Sequence, residues 1–196
     1  MSVAQDVVHG AWVRRSASVS GSAHFETQHV IWLQAATCYA DIRVPFHAGV
    51  ESRCFSGQSG WDADGYRWTR HLDMEPVGGD DVGKLTWEDD ALIERGLFPT
   101  PQGEVPYVEV WVRLPGGDGP FLAMEDRRSC LVRVGDHAIT VVDGRPDGGS
   151  FSAAYRVLGP SGWSLIHAIG DGARLPDPAD LPDWPIMHRG TTEVSA

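Results

Sequence analysis

The chain has 196 residues, 42% of them hydrophobic and 22% charged, values that exclude general disorder and suit one ordinary domain or two small lobes. Its 16 basic residues stand against 27 acidic ones, a net charge of −11 at pH 7, which argues against nucleic acid or an anionic membrane as the main partner. Three cysteines, Cys38, Cys54 and Cys130, fit neither a disulfide framework nor a C-x-x-C metal clip and read as reduced, buried thiols. The segment MSVAQDVVHGAW has no basic flank or leader-like apolar run, and nothing approaches the roughly 20 apolar residues of a membrane span, so the expected location is the cytoplasm.

The chain is densely punctuated by 23 glycines and 13 prolines, and the short segments between them alternate and are rich in Val, Trp, Tyr and Thr. That pattern predicts an all-β, antiparallel fold. In chain order the expected strands are 11–19, 28–34, 38–44, 66–72, 84–88, 91–95, 106–114, 120–125, 129–134, 137–142, 151–158 and 163–169. Hairpin turns are expected at Asp64-Gly65, Gly135-Asp136 and Asp143-Gly144. The stretch EDDALIERG at 88–96 is the one place where a short helical turn competes with strand. Pro176, Pro178, Pro182 and Pro185 argue against regular ladders in the last segment. The organisation expected is a first barrel lobe over residues 1–115, a second, smaller β lobe over 116–172 and an extended, Pro-rich tail over 173–196.

So many antiparallel strands favour closure, because open edges invite pairing between molecules and barrels remove them. Gly10-Ala11-Trp12 opens the first strand where lipocalin-like barrels carry a Gly-x-Trp, the glycine permitting the entry turn and the indole plugging one end. Three further stretches follow in order: Trp32-Leu33 with Tyr39 and Val44-Pro45; Trp87 to Glu94-x-Gly96; and Glu109-Val110-Trp111 leading to Pro115. Together, over about residues 28–115, they resemble the fungal casein-kinase-interacting proteins built from two lipocalin-like barrels. The resemblance implies a calycin-type barrel in two lobes and transfers no catalytic residue.

Function turns on which face of two strands points inward. In 39–44, Tyr39, Asp41 and Arg43 share one face and Ala40, Ile42 and Val44 the other. In 106–114, Tyr107, Glu109, Trp111 and Arg113 oppose Val108, Val110, Val112 and Leu114. Either the aliphatic rows form the core and the mixed rows meet solvent, or the mixed rows line a lumen while the aliphatic rows pack against a second lobe. Two strands repeating an aromatic–carboxylate–arginine row are more simply explained by one lined cavity. Trp32, Tyr39, Arg43, Trp87, Tyr107, Trp111 and Arg113 are then the expected ligand-binding residues, and Asp41, Glu88 and Glu109 the candidate acid–base carboxylates.

Other chemistries fit poorly. HFETQH at 24–29 puts His24, Glu26 and Gln28 on one face, but a metal centre needs three or four convergent ligands and no second half is in view. GWDADG at 60–65 begins like an acidic calcium loop yet lacks the closing glutamate, and reads as a hairpin turn. There is no G-x-S-x-G, phosphate loop or dinucleotide fingerprint in context. No cofactor or metal is called for. The expected partner is a small-molecule ligand or substrate, with a homodimer compatible. Two functions follow: a binding protein for a small, largely apolar or aromatic molecule, or a cofactor-independent enzyme of isomerase, dehydratase or cyclase type. An interaction scaffold with a filled barrel is the bland third.

Overall fold

The computed structural model describes residues 8–76, 79–180 and 183–191, so both ends of the expected organisation, 1–7 and 192–196, lie outside the described residues. The fold is all-β. Eight antiparallel strands close a barrel in simple sequence order: β1 (Gly10–Val19), β2 (Gln28–Ala35), β3 (Cys38–Pro45), β4 (Arg53–Trp61), β5 (Tyr66–Asp73), β6 (Asp81–Glu88), β7 (Ala91–Thr100) and β8 (Gly103–Arg113). β8 returns to pair with β1 from Trp12↔Arg113 to Val19↔Tyr107, with a bulge between Arg14 and Ser16. The second lobe is an open six-stranded sheet rather than another barrel. It comprises β9 (Pro120–Glu125), β10 (Ser129–Val134), β11 (His137–Asp143), β12 (Phe151–Gly159), β13 (Gly162–Ile169) and β14 (Ile186–Thr191), in the order β13-β12-β11-β10-β9-β14.

Two local expectations change, and at 88–96 the expected strands prevail over the competing helical turn. β4 was not expected, because RCFSGQSGW has little β-branched content; it is recruited by its neighbours, pairing with β3 on one side and β5 on the other. Gly57 sits beside the β4–β5 bulge, where a Cβ would stand 2.1 Å from the Thr69 carbonyl oxygen. The segment 88–96 is strand, and Glu88↔Ala91 closes a tight turn with Asp89 in the left-handed region at φ +54°. The expected tail is interrupted by β14, whose residues IMHRGT follow the last proline, keep their N–H groups and pair with β9.

The outward row of β2 and β3 settles the question of faces. Ile31, Leu33, Ala40 and Ile42, with Cys54 of β4, are buried against Ala123, Val132, Val134, Ile139, Val141 and Ala153 of the second sheet. The apolar core of the molecule therefore lies between barrel and sheet, and the mixed row turns into the lumen. All three cysteines are free and buried in this layer, and loss of hydration pushes the Cys38 thiol up to about 11. Among the described residues, no helix is long and apolar enough to cross a membrane.

If the inter-lobe layer is the core, Ile42→Ala creates a cavity there and should cost about 2–5 kcal/mol by chemical denaturation. A change below about 0.5 kcal/mol would place this row on solvent instead.

Candidate functional site

The lumen is built from the inward alternate residues of each barrel strand. Trp12, Trp32, Tyr39, Phe55, Tyr66, Trp68, Leu85, Leu92 and Trp111 pack into one buried cluster. Trp32 is its hub, edge-on to Trp68 at 5.7 Å and to Trp111 at 5.5 Å. Such offsets are favoured by the ring quadrupoles. Inward glycines make room for these rings: a Cβ on Gly96 would stand 2.5 Å from the Tyr107 ring, and one on Gly83 would stand 3.3 Å from Trp68 and 3.0 Å from the Glu94 side chain. One end of the lumen is plugged, since the Trp12 indole donates to the Val8 carbonyl at 2.9 Å and Arg113 lies 4.3 Å from the centre of the Trp12 ring.

The other end is polar. The Arg43 guanidinium grips the Asp41 carboxylate through Nε and Nη2 at 2.8 and 3.2 Å. Arg14 crosses the closing seam of the barrel, donating to Glu109 at 2.5 Å and to both oxygens of Glu26 at 2.7 and 3.0 Å. Arg70 lies over the Phe55 ring at 3.9 Å and is held by Asp73 and Asp81. Between these groups remains a cavity of about 30 Å³, lined by Trp32, Tyr39, Asp41, Arg43, Phe55, Trp68, Asp81, Glu94 and Trp111. At about 10–15 Å³ for each water, it holds two or three. Arg43 and Asp81 are half-buried, the least enclosed members of the lining, and mark its mouth.

Two features of the lining are chemically unusual. Glu94 is buried and faces Glu109 across the β7–β8 ladder. Loss of hydration, reinforced by the Glu109 carboxylate, pushes its carboxyl up to about 8, against the opposing pull of hydrogen bonds from the Tyr107 hydroxyl at 2.6 Å and the Trp111 indole at 3.0 Å. At neutral pH Glu94 is thus largely a carboxylic acid. The second feature is the Tyr39 hydroxyl, fully buried and without a hydrogen-bond partner among the described residues; Arg70 Nε is likewise unpartnered among them. A buried polar group left so ordinarily costs about 1–3 kcal/mol. Burial also holds the Tyr39 phenol well above its ordinary pKa.

The structure brings together Trp32, Tyr39, Asp41, Arg43 and Trp111, with Glu109 immediately behind Glu94 and Tyr107 reaching in through its hydroxyl. Arg113 and Trp87 do not join them: both lie against Trp12 toward the plugged end, and Arg113 donates to the His9 carbonyl at 2.6 Å. Glu88 is outside the barrel, exposed and paired with Arg95 at 2.6 Å, because it stands one residue out of phase with the inward Trp87. Residues not anticipated are Phe55, Trp68, Asp81, Glu94, Arg14 and Arg70. Glu94 was legible in principle, since the turn between Thr100 and Gly103 fixes it opposite Glu109.

The side chains of HFETQH diverge: His24 to Ser16, Glu26 to Arg14, Gln28 to the Glu51 carbonyl and His29 to His167. Among the described residues no three His, Cys, Asp or Glu side chains group as metal ligands. In GWDADG, Asp62 accepts from the N–H groups of Asp64 and Gly65 and pins a hairpin turn.

No family model and no curated protein matches the chain. A solved structure does. The uncharacterized protein YLR301w from Saccharomyces cerevisiae superposes with a TM-score of 0.73, covering 93% of this chain and 99% of that one. The likeness is one of fold. With 11% of residues identical it carries no side-chain chemistry across, so the reading of the site rests on the geometry above.

Burial of a neutral Glu94 has a sign that can be checked. Its folded pKa lies above the ordinary 4.5, so its contribution to stability is full below about 4.5 and is lost as pH rises through about 8. Glu94→Gln cannot titrate. The stability of the natural chain relative to this variant should therefore fall steadily over that interval in denaturation curves and level off above it. A difference independent of pH would mean that Glu94 is ionised in the lumen.

Proposed function

We propose that the chain binds a compact small molecule in the polar end of the barrel lumen. The observation that carries this reading is Tyr39, which lines a cavity walled by aromatic rings and a few aimed charges and whose buried hydroxyl has no partner among the described residues. Aromatic walls with sparse convergent polar groups are what small-ligand sites have in common. An eight-stranded barrel has an interior wide enough either for its own side chains or for one small ligand. Here the side chains take most of it, so the closed lumen accepts a head group, and the apolar or aromatic body of a ligand extends through the mouth beside Arg43. The cytoplasm is the setting we propose, supported by three free, buried cysteines.

A second reading is favoured by Glu94 alone. A carboxyl titrating near 8 is poised to give or take a proton at neutral pH, which suits a cofactor-independent isomerase, lyase or cyclase. Asp41 fits that role less well, since both its oxygens already accept hydrogen bonds from Arg43.

The test is a panel of compact ligands with neutral, anionic and cationic heads, read by tryptophan fluorescence and thermal unfolding. A ligand of the lumen should stabilise the fold by about 2.7 kcal/mol at a hundred times its Kd. Arg43→Ala should shift that affinity by about ten-fold or more, and the exterior Glu88→Gln should leave it unchanged. Equal responses to both substitutions would move binding out of the lumen. Turnover of any bound compound, abolished by Glu94→Gln, would select the enzymatic reading.

A further inference from the structure

The polar end of the lumen is unbalanced in charge. Glu26, Asp41, Asp73, Asp81 and Glu109 pair with Arg14, Arg43 and Arg70, five carboxylates to three guanidiniums, and the neutral Glu94 stands beside them. Every one of these guanidiniums is already engaged by carboxylate: Arg43 by Asp41, Arg70 by two aspartates, Arg14 by Glu109 and Glu26. An anionic ligand would meet this negative surplus, with the Arg70 Nε–H the one uncommitted donor among these three guanidiniums in the described residues. The aromatic wall points the same way, because ring faces attract cations, and Phe55 already draws both Arg43 and Arg70 to within 5.1 and 3.9 Å of its centre. Inside this setting the Tyr39 hydroxyl is buried and without a partner among the described residues, with oxygen lone pairs to offer an N–H donor.

From these observations we infer that the cavity takes the ammonium head of a small aliphatic amine, held by the Tyr39 oxygen, the surrounding rings and the surplus of carboxylates. This rests on the lumen being the binding site proposed above, and it names the class of ligand. The size fits: a cavity of about 30 Å³, with room for two or three waters, accepts an ammonium head with its first methylene, and the rest of the alkyl tail leaves between Arg43 and Asp81. The whole-molecule charge of −11 favours encounter with cations.

Binding is coupled to a proton. Glu94 is faced by Asp41 and Arg43 from β3, Asp81 from β6, and Tyr107, Glu109 and Trp111 from β8, and its neutral form prevails because burial and Glu109 outweigh Arg43 and the two hydrogen bonds it accepts. An arriving ammonium adds positive charge beside it and favours the carboxylate, so Glu94 gives up its proton to solvent as the amine enters. Amine affinity should therefore rise with pH up to about 8 and level off beyond it.

The experiment compares n-butylammonium, n-butanol and butyrate, which share a tail and differ in head, by titration calorimetry and tryptophan fluorescence on the full chain. n-Butylammonium should bind about ten-fold more tightly than either of the others. Its affinity should increase several-fold between about pH 6.5 and about pH 8.5, with proton release in the natural chain and none in Glu94→Gln. Tyr39→Phe, which removes only an unpartnered hydroxyl and leaves the fold intact, should weaken the amine several-fold and leave butanol unaffected. If butanol or butyrate binds as tightly as the amine, the lumen site stands and the amine inference falls. If none of the three binds, both fall together.

Discussion

The structure depends on one packing contact, that of the second sheet against the outward aliphatic faces of β2, β3 and β4. A strand has two faces, and only one can be satisfied by a given neighbour. Once Ile31, Leu33, Ala40, Ile42 and Cys54 are covered by the sheet, Tyr39, Asp41 and Arg43 have nowhere to go except inward. The barrel thus carries its charged row inside. Charges so placed must be compensated on the spot, which is why the polar end of the lumen is a lattice of arginine–carboxylate pairs.

At the polar end the compensation is incomplete at Glu94, at Tyr39 and at Arg70 Nε. Burial and Glu109 hold a proton on Glu94, and the Tyr39 hydroxyl, on a residue that lines the cavity, has no hydrogen-bond partner among the described residues. Local departures from full satisfaction of this kind are expected where a fold serves a ligand rather than its own stability. The plugged end shows the contrast. There Trp12 is tied down by Val8 and covered by Arg113, which itself donates to the His9 carbonyl, and the arrangement reads as packing.

Much of the fold was legible because strand alternation and Gly-centred turns are local signals, and the β6–β7 hairpin is set by its own turn. What escaped was tertiary. β4 has the composition of a loop and becomes strand only because β3 and β5 flank it, so Phe55, the floor of the cavity, could not be placed. Trp68 lay on an expected strand but could be aimed inward only after β4 was known. Glu88 and Arg113 show the opposite error: both are the right kind of residue, one on the wrong face and the other at the wrong end of the barrel. The inward row itself was readable from its repetition on β3 and β8, while its depth along the barrel axis was set by register and stagger, which no single strand encodes.

The central claim is that the charged row is inside. A double-mutant cycle on Arg14 and Glu109, which clasp β1 to β8 across the closing seam with side chains only 7% and 12% exposed, measures it most directly. A pair sequestered in the lumen should show a coupling energy of about 1.5–3 kcal/mol in unfolding experiments, little changed by added salt. A coupling near or below about 0.5 kcal/mol that disappears with salt would mean that the pair faces water and that the lumen described above is not the interior of this protein.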